Sequence, residues 1–260
     1  MSTELPIVDV LPNLRAVLAS GTCAVVQAPP GTGKTTLIPL ALRDEAWLDG
    51  RTILMLEPRR LAARAAAQRM ADLLGEDVGA TVGYRIRLDA CVSQQTRIEV
   101  VTEGILTRRL QNDPELNGVG CVIFDEFHER SVHADLGLAL SLDVQQSLRS
   151  DLRILVMSAT LETHAVAALL DEAPIIAAKG RVFDVRTIHA ARASQSSVEQ
   201  RVIGTVLTAL AEQPGDMLVF LPGAAEIQRV HRALQAQVRA DAAVLPLYAN
   251  LTRAAQDRAI

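Results

Sequence analysis

Short, continuous runs of apolar residues alternate with longer stretches rich in Ala, Leu and Arg along the first 180 residues. Apolar runs without alternation are typical of strands buried on both faces, and the stretches between them are typical of amphipathic helices. The runs are residues 23–28 (CAVVQA), 52–57 (TILMLE), 97–102 (RIEVVT), 121–126 (CVIFDE) and 153–159 (RILVMSA). The pattern predicts an α/β domain whose parallel sheet carries helices on both faces, with active-site residues at the carboxyl ends of the strands.

This rhythm is interrupted by a polar stretch at residues 177–197, which predicts a connection between two domains. A helix over 198–213, a strand over 217–223, a helix over 224–238 and a short strand over 244–248 are expected to follow. So few strand-helix cycles do not bury the apolar faces of an open sheet. We therefore predict a first domain over residues 1–180 and the N-terminal part of a second over 181–260.

Composition narrows the class of protein. Hydrophobic residues make up 49% of the chain and charged residues 22%, which is typical of a globular core. The formal charge of -4 argues against binding nucleic acid by bulk electrostatics, so any such contact is expected to be local. Three widely spaced cysteines predict free thiols in a reducing compartment. Neither a signal peptide nor a membrane span is recognisable, and we predict a cytoplasmic protein without membrane contact. The sequence leaves the oligomeric state open.

The sequence QAPPGTGKTT at residues 27–36 lies between a predicted strand and a predicted helix, the setting that a phosphate-binding loop requires. Glycines in such a loop let backbone N–H groups point at phosphate oxygens, and the helix N-terminus adds its positive dipole end. Lys34 is expected to reach the β and γ phosphates of ATP, and the Thr35 hydroxyl to hold Mg²⁺. A glycine-rich turn with an exposed lysine is the alternative. The candidate nucleotide contacts are Pro30, Gly31, Thr32, Gly33, Lys34, Thr35 and Thr36.

Two adjacent acids, Asp125 and Glu126, lie at the end of the predicted strand at 121–126. Asp125 is expected to bind Mg²⁺, and Glu126 to orient and deprotonate the water that attacks the γ-phosphate. An exposed acidic turn is the alternative for the pair taken alone. The phosphate loop upstream favours a common ATP and magnesium site, in which Lys34, Asp125 and Glu126 are the catalytic candidates.

These motifs and their order resemble the DEAH-box group of superfamily 2 helicases, and within it the bacterial HrpB-type ATP-dependent helicases. The resemblance runs the length of the chain and includes LEPRRLAARAAAQRMA (56–71), VGYRIRLD (82–89), VVTEGILTRRL (100–110), DEFHERSVHADL (125–136), VMSATL (156–161) and MLVFLPGAAEI (217–227). It implies two RecA-like P-loop NTPase domains, the second only in part. Phe127 departs from the small residue usual at the third position of the DEAH box, and leaves both acids and His128 in place.

The resemblance also implies roles for residues that spacing alone does not identify. His128 would complete the catalytic box, and Ser158 and Thr160 would couple the nucleotide state to strand movement, although a Ser-Ala-Thr triplet is otherwise typical of a cap or turn. Arg59 and Arg60, together with Thr102 and Gly104, would line a track for a nucleic-acid backbone; a solvated helix face is the alternative for the two arginines. Arg69 would stack on adenine, or is one more exposed arginine.

In such helicases, arginines of the second lobe stabilise the transferred phosphate, and motifs of the QRxGRxGR type are not found in these 260 residues. We therefore expect the chain alone to bind nucleotide and to hydrolyse it poorly. The leading hypothesis is an ATP-dependent RNA or DNA helicase or translocase. A remodelling or regulatory ATPase switch is the alternative, and a nucleotide-free scaffold is disfavoured because Lys34, Thr35, Asp125 and Glu126 are all present.

Overall fold

A computed structural model describes residues 5–160, 163–180, 184–190, 196–238 and 242–259. The chain divides into two compact units, Met1–Phe183 and Asp184–Ile260. The predicted boundary between residues 180 and 181 adjoins residues 181–183, which lie outside the described residues, so its position stays a prediction. Among the described residues, no helix is both long enough and apolar enough to cross a membrane.

A largely parallel sheet forms the centre of the first unit. Its strands in the described residues are β1 (Cys23–Gln27), β2 (Thr52–Glu57), β3 (Val82–Ile86), β4 (Asp89–Cys91), β5 (Ile98–Thr102), β6 (Val119–Phe124), β7 (Arg153–Ser158) and β8 (Ile175–Ala177). The spatial order is β4-β3-β5-β2-β6-β7-β1-β8, and every pair is parallel except β3 and β4. This sheet confirms the predicted fold class.

Helices cover both faces of the sheet. The first unit contains α1 (Leu11–Ser20), α2 (Lys34–Leu42), α3 (Arg60–Leu74), α4 (Glu103–Asn112), α5 (Val132–Ser147) and α6 (Thr163–Leu169), with 3-10 helices at Pro6–Val10, Ala46–Leu48 and Phe127–Glu129. One core cluster joins the helices α1, α2 and α3 to alternate strand residues such as Met55 and Ile123. The other joins α4, α5 and α6 to their neighbours Leu54 and Phe124. Successive strand residues point to opposite faces, which is why the central strands are apolar throughout.

The five predicted strands of the first domain are present, and three further strands escaped prediction. β3 carries an exposed arginine, Arg85, in its apolar run, and the edge strands β4 and β8 have only three residues each. β4 turns back along β3 after Leu88, which adopts φ 66°. Strands this short give no periodic signal of their own.

The second unit contains α7 (Val198–Glu212), α8 (Ala224–Gln235) and α9 (Arg253–Ala259). α7 packs against α8 around Val206, Val230 and Leu234. The strands predicted over 217–223 and 244–248 are not formed in the described residues, because neither segment has a hydrogen-bonded partner strand there. Phe220 is consequently 85% exposed. A mainly apolar cavity of about 420 Å³ lies between α7 and residues 217–220, and it gathers no catalytic groups.

Candidate nucleotide-binding site

The loop from Ala28 to Gly33 connects β1 to α2 at the carboxyl edge of the sheet. Gly31 and Gly33 adopt φ values of 75° and 92°, a left-handed region that favours glycine. A Cβ atom on Gly33 would also lie 2.8 Å from the Leu5 side chain. Thr32 is buried and its hydroxyl donates to the carbonyl of Pro29 at 2.8 Å, which braces the turn. The loop is therefore shaped by its glycines and leads directly into the α2 N-terminus.

Two side chains at the start of α2 contact the two acids that follow β6. The buried Lys34 ammonium lies 2.7 Å from Glu126 Oε1. The Thr35 hydroxyl donates to Asp125 Oδ2 at 2.5 Å. The Glu126 backbone, at φ 49°, donates its own N–H to Asp125 Oδ1 at 2.8 Å. The structure thus brings together the loop and the acidic pair, which lie far apart in the sequence.

The oxygen atoms of Thr35 and Asp125 fit a magnesium ion. Mg²⁺ prefers hard oxygen ligands, and a hydroxyl and a carboxylate meet here beside the phosphate loop. Burial raises the pKa of Asp125, while the hydrogen bond from Thr35 and the charge of Lys34 oppose that shift. Buried carboxylates are generally paired or coordinate metals. Thr35 and Asp125 would therefore supply oxygen ligands to a divalent cation, which would offset the negative charge of bound phosphates.

A third acid, Glu57, lies behind this pair and was missed from the sequence. It ends β2 and is 2% exposed, and its carboxyl group hydrogen-bonds Asp125. Burial, the negative charge of Asp125 and this hydrogen bond raise the pKa of Glu57 to about 9, so it is protonated at neutral pH. Leu56 pairs with Phe124 in the sheet, which sets the next residues, Glu57 and Asp125, side by side. The sequence does show an acid at the end of a strand. Only the order of the strands in the sheet shows that Glu57 lies next to Asp125.

His128 connects the acidic pair to the Ser-Ala-Thr triplet after β7. Its Nδ1 accepts a hydrogen bond from the Ala159 N–H at 3.2 Å. In a neutral ring the proton is then on Nε2, which lies 3.4 Å from Glu126 Oε2. Ser158 is buried and its hydroxyl accepts from the N–H of Thr160, an exposed residue, at 3.3 Å. The geometry joins His128 to the backbone of the triplet rather than to either hydroxyl.

Phe127 anchors the segment that carries these groups. Its side chain is 5% exposed and meets Phe124 edge to face at 6.0 Å between ring centroids. The Arg130 guanidinium lies 5.5 Å from the same ring. The departure from a small residue in the DEAH box therefore adds an apolar anchor under the turn, while Asp125 and Glu126 keep their contacts with Thr35 and Lys34.

Residues predicted to line a nucleic-acid track follow β2 and β5, which lie next to each other in the sheet. Arg59 is the N-cap residue of α3, and its guanidinium lies 3.0 Å from Glu129. Thr102 is the N-cap residue of α4, and Gly104 is exposed in the first turn of that helix. Arg60 and Arg69 are both exposed on α3, a helix that packs on α2. Their ligand contacts stay predictions.

The sequence of the chain is similar to those of known bacterial helicases. The chain is 47% identical to the ATP-dependent RNA helicase HrpB of Escherichia coli (strain K12) over 258 residues, which is 99% of this chain and 32% of that protein. It is 32% identical to an ATP-dependent RNA helicase HrpA homolog of Haemophilus influenzae (strain ATCC 51907 / DSM 11121 / KW20 / Rd) over 257 residues, 98% of this chain and 20% of the relative. The chain therefore spans a third or less of the length of these relatives.

The fold of the chain also matches those of solved helicase structures. The crystal structure of the Escherichia coli DEAH/RHA helicase HrpB matches 98% of this chain and 33% of its own chain, with a TM-score of 0.91 and 47% identity. A crystal structure of the E. coli DExH-box NTPase HrpB matches with a TM-score of 0.79 and the same identity, and covers 100% of this chain and 32% of its own. These matches confirm the RecA-like helicase fold and the resemblance to HrpB-type proteins. Residues 11–169, more than half of the chain, match the DEAD/DEAH box helicase family, and the chain belongs to that family.

Proposed function

We propose that this chain supplies the ATP-binding wall of a nucleic-acid motor, in which Mg²⁺-ATP is bound by the loop at residues 28–36 and by Asp125. The contacts of Lys34 with Glu126 and of Thr35 with Asp125 carry the proposal, because they bring a phosphate-binding loop and a water-activating pair into one site. Catalysis of phosphoryl transfer is mostly positioning and charge stabilisation, which is what these groups supply.

The polar contacts suggest an order of events. An incoming triphosphate competes with Glu126 for the Lys34 ammonium, since both are anions. Thr35 and Asp125 would hold Mg²⁺, which when bound neutralises charge on the phosphates. Glu126 Oε1, released from Lys34, can then accept a proton from the attacking water. His128 Nε2 lies 3.4 Å from Glu126 Oε2, close enough to help orient this carboxylate.

Nucleic acid is the proposed substrate of the whole motor. Arg59 and Arg60 at the start of α3, with Thr102 and Gly104 at the start of α4, suit contacts to a phosphate backbone. Backbone contacts make binding tolerant of sequence and sensitive to salt. The relatives named above as RNA helicases support RNA as the first strand to test, with DNA beside it. Hydrolysis would move the bound strand, and this movement is to be measured on the full-length protein, called the full chain below.

A lysine pair within the chain gives a direct test of the nucleotide site. Lys34 and Lys179 are the two lysines of the sequence, the first buried at the loop and the second exposed. We expect Lys34→Ala to weaken binding of Mg-ADP and Mg-ATP analogues in calorimetric titration by roughly tenfold or more, as for a charge-assisted contact to phosphate. Lys179→Ala should bind as the wild type does. Equal loss in both variants, or none, would refute the nucleotide site.

Measurements of ATP hydrolysis and strand separation distinguish a helicase from a remodelling or regulatory ATPase. We propose that these 260 residues alone hydrolyse ATP slowly, and rapid turnover stimulated by nucleic acid in the isolated chain would contradict this. For the full chain, we expect strand separation on RNA or DNA duplexes with single-stranded overhangs. Stimulated hydrolysis without strand separation would instead indicate a remodelling ATPase. Hydrolysis that ignores every nucleic acid offered would refute the helicase proposal.

A further inference from the structure

The segment from Glu126 to Ser131 contacts residues at the starts of α3 and α4, the helices that follow β2 and β5. Glu129 Oε1 lies 3.0 Å from Arg59 Nη2, at the start of α3. The Ser131 hydroxyl donates to Glu103 Oε2 at 2.6 Å, at the start of α4. The same segment begins with Glu126, the group that contacts Lys34 and His128. One short stretch of backbone therefore joins the proposed water-activating carboxylate to Arg59 of the proposed strand track and to Glu103, which lies between the track residues Thr102 and Gly104.

We propose that Glu129 is a positioning residue that holds Arg59 when no strand is bound and yields it to a nucleic-acid phosphate, so that strand binding is transmitted to Glu126. This inference rests on the proposed function. It deepens that function by naming the contact through which the nucleic acid would regulate the nucleotide site.

The exposure of the pair suits an exchange of partners. The Arg59 side chain is 73% exposed and that of Glu129 is 34% exposed, so a phosphate can reach the guanidinium without unfolding anything. An exposed ion pair contributes little free energy and is easily replaced. A phosphate can accept two parallel hydrogen bonds from one guanidinium. The carboxylate of Glu129 beside that phosphate would be a like charge, so strand binding favours its departure.

The turn transmits this change because it is short and tied at both ends. The Glu129 N–H donates to the Glu126 carbonyl at 2.9 Å, within the 3-10 helix Phe127–Glu129. Glu126 and Arg130, which flank that helix, adopt φ values of 49° and 44°. Non-glycine residues in this region are held there by their surroundings rather than by intrinsic preference. Loss of the Glu129 contact therefore removes one of the restraints on the turn that begins at Glu126.

The second contact is of a different kind. Ser131 is the N-cap of α5 and accepts from the Ala134 N–H at 2.9 Å while it donates to Glu103. Both partners are partly buried, and the cap is part of the helix itself. We assign Ser131 to the fixed end of the segment and Glu129 to the end that exchanges partners.

Affinity for a labelled single-stranded oligonucleotide, measured by fluorescence anisotropy on the full chain, tests the exchange. Glu129→Gln should bind roughly two- to fivefold more tightly than the wild type, the range expected for an exposed ion pair. Glu115→Gln is the matched control, because it removes one exposed carboxylate elsewhere in the same unit. In an Arg59→Gln background the effect of Glu129→Gln should vanish. An effect that persists there would show repulsion that bypasses Arg59 and would overturn the proposal.

A second measurement is the coupling between nucleotide binding and strand binding. A Glu129 that acted only by repelling the strand would leave this coupling unchanged. The affinity for a Mg-ATP analogue is measured with and without saturating oligonucleotide, and the ratio of the two is the coupling factor. We expect Glu129→Gln to bring this ratio closer to one than the wild type and Glu115→Gln. An unchanged ratio would overturn the inference alone. If the wild type binds nucleotide but no strand, the proposed function fails as well.

Discussion

The carboxyl group of Glu57 lies beside that of Asp125, the residue proposed to bind magnesium, and burial there raises the pKa of Glu57. The two carboxyls lie side by side because β2 and β6 are neighbours, with Leu56 paired to Phe124 one residue earlier. A neutral acid in this position fixes the orientation of Asp125 without adding a second negative charge. It also makes the stability of the protein depend on pH.

Replacement of Glu57 by Gln should flatten that dependence. The folded-state pKa of Glu57 is raised to about 9, well above its value of about 4.3 in an unfolded chain. The folded form therefore binds more protons between these two values, and Glu57 lowers the free energy of unfolding as pH rises through that window. Gln keeps a hydrogen-bond donor and does not titrate.

Denaturant unfolding of the nucleotide-free chain at pH 5 and pH 8 measures this effect. We expect the stability of Glu57→Gln relative to the wild type to increase by about 1 kcal/mol or more between the two pH values. Glu115→Gln, at an exposed position, should show no such increase. A constant difference between Glu57→Gln and the wild type would mean that Glu57 is ionised in the fold.

Asp125→Asn should remove the magnesium dependence of nucleotide binding. Asn keeps the size of the side chain and a hydrogen bond to Thr35 but lacks the charge that attracts the cation. The wild type should bind ATP analogues more tightly with Mg²⁺ than with a chelator, by roughly tenfold or more. For Asp125→Asn we expect a ratio near one. Asp143→Asn, exposed on α5, is the control, and a magnesium effect retained in Asp125→Asn would contradict the assigned ligand.

Glu126→Gln should separate binding from hydrolysis. The amide can still accept a hydrogen bond from Lys34 or His128, but it cannot take a proton from water. We expect the affinity for Mg-ATP to stay within a few-fold of the wild type, while single-turnover hydrolysis by the full chain falls roughly 10²- to 10⁴-fold. A rate within tenfold of the wild type would rule out Glu126 as the general base.

Asp151 gives a prediction that concerns the stability of the fold rather than nucleotide binding. It pairs with Arg149 at 2.8 Å and with Arg51, and these guanidinium groups, Arg149 first, hold the pKa of Asp151 well below its usual range. Since the folded pKa is depressed, the contribution to stability is present above the unfolded value of about 3.9 and is lost as pH falls below it.

The side chain of Asp151 is 45% exposed, and solvent reduces what the pair contributes. We expect Asp151→Asn to lower the free energy of unfolding by about 1 kcal/mol or less at pH 7. The difference should be constant from pH 5 to pH 8 and should shrink below about pH 4. Thermal or denaturant unfolding across this range checks it, and a difference that grows toward low pH would contradict the assignment.

The sequence predicts the elements of the first unit better than their arrangement. Long apolar runs identify the central strands because burial on both faces leaves no polar positions. The order of the strands is set by packing among segments that are distant in the sequence. The contact between Glu57 and Asp125 could therefore not be predicted from the residue pattern. The contact of Glu129 with Arg59 was missed for the same reason. β3 escaped because the exposed Arg85 interrupts its apolar run, and the three-residue strands β4 and β8 escaped because pairing, rather than residue pattern, defines them.

Within the site, motif spacing located Lys34, Thr35, Asp125 and Glu126, which the structure brings into contact. It could not show that His128 binds the backbone at Ala159, because a backbone N–H leaves no trace in the residue pattern. The two strands expected in the second unit illustrate the opposite error. Residues 217–221 have the apolar character of a strand, but a strand also needs a partner, and none is paired with them in the described residues.

The position of β6 between β2 and β7 bears on how this protein can tolerate change in length. The residues that follow β6 reach Arg59 on one side and Ala159 on the other, each through a side chain of fixed reach. A single residue inserted after Phe124 would advance every later side chain by one position and break contacts on both sides together. Substitutions can be compensated one at a time, but insertions and deletions here cannot. Variation between relatives should therefore be confined to residue identity along this stretch, with its length held constant.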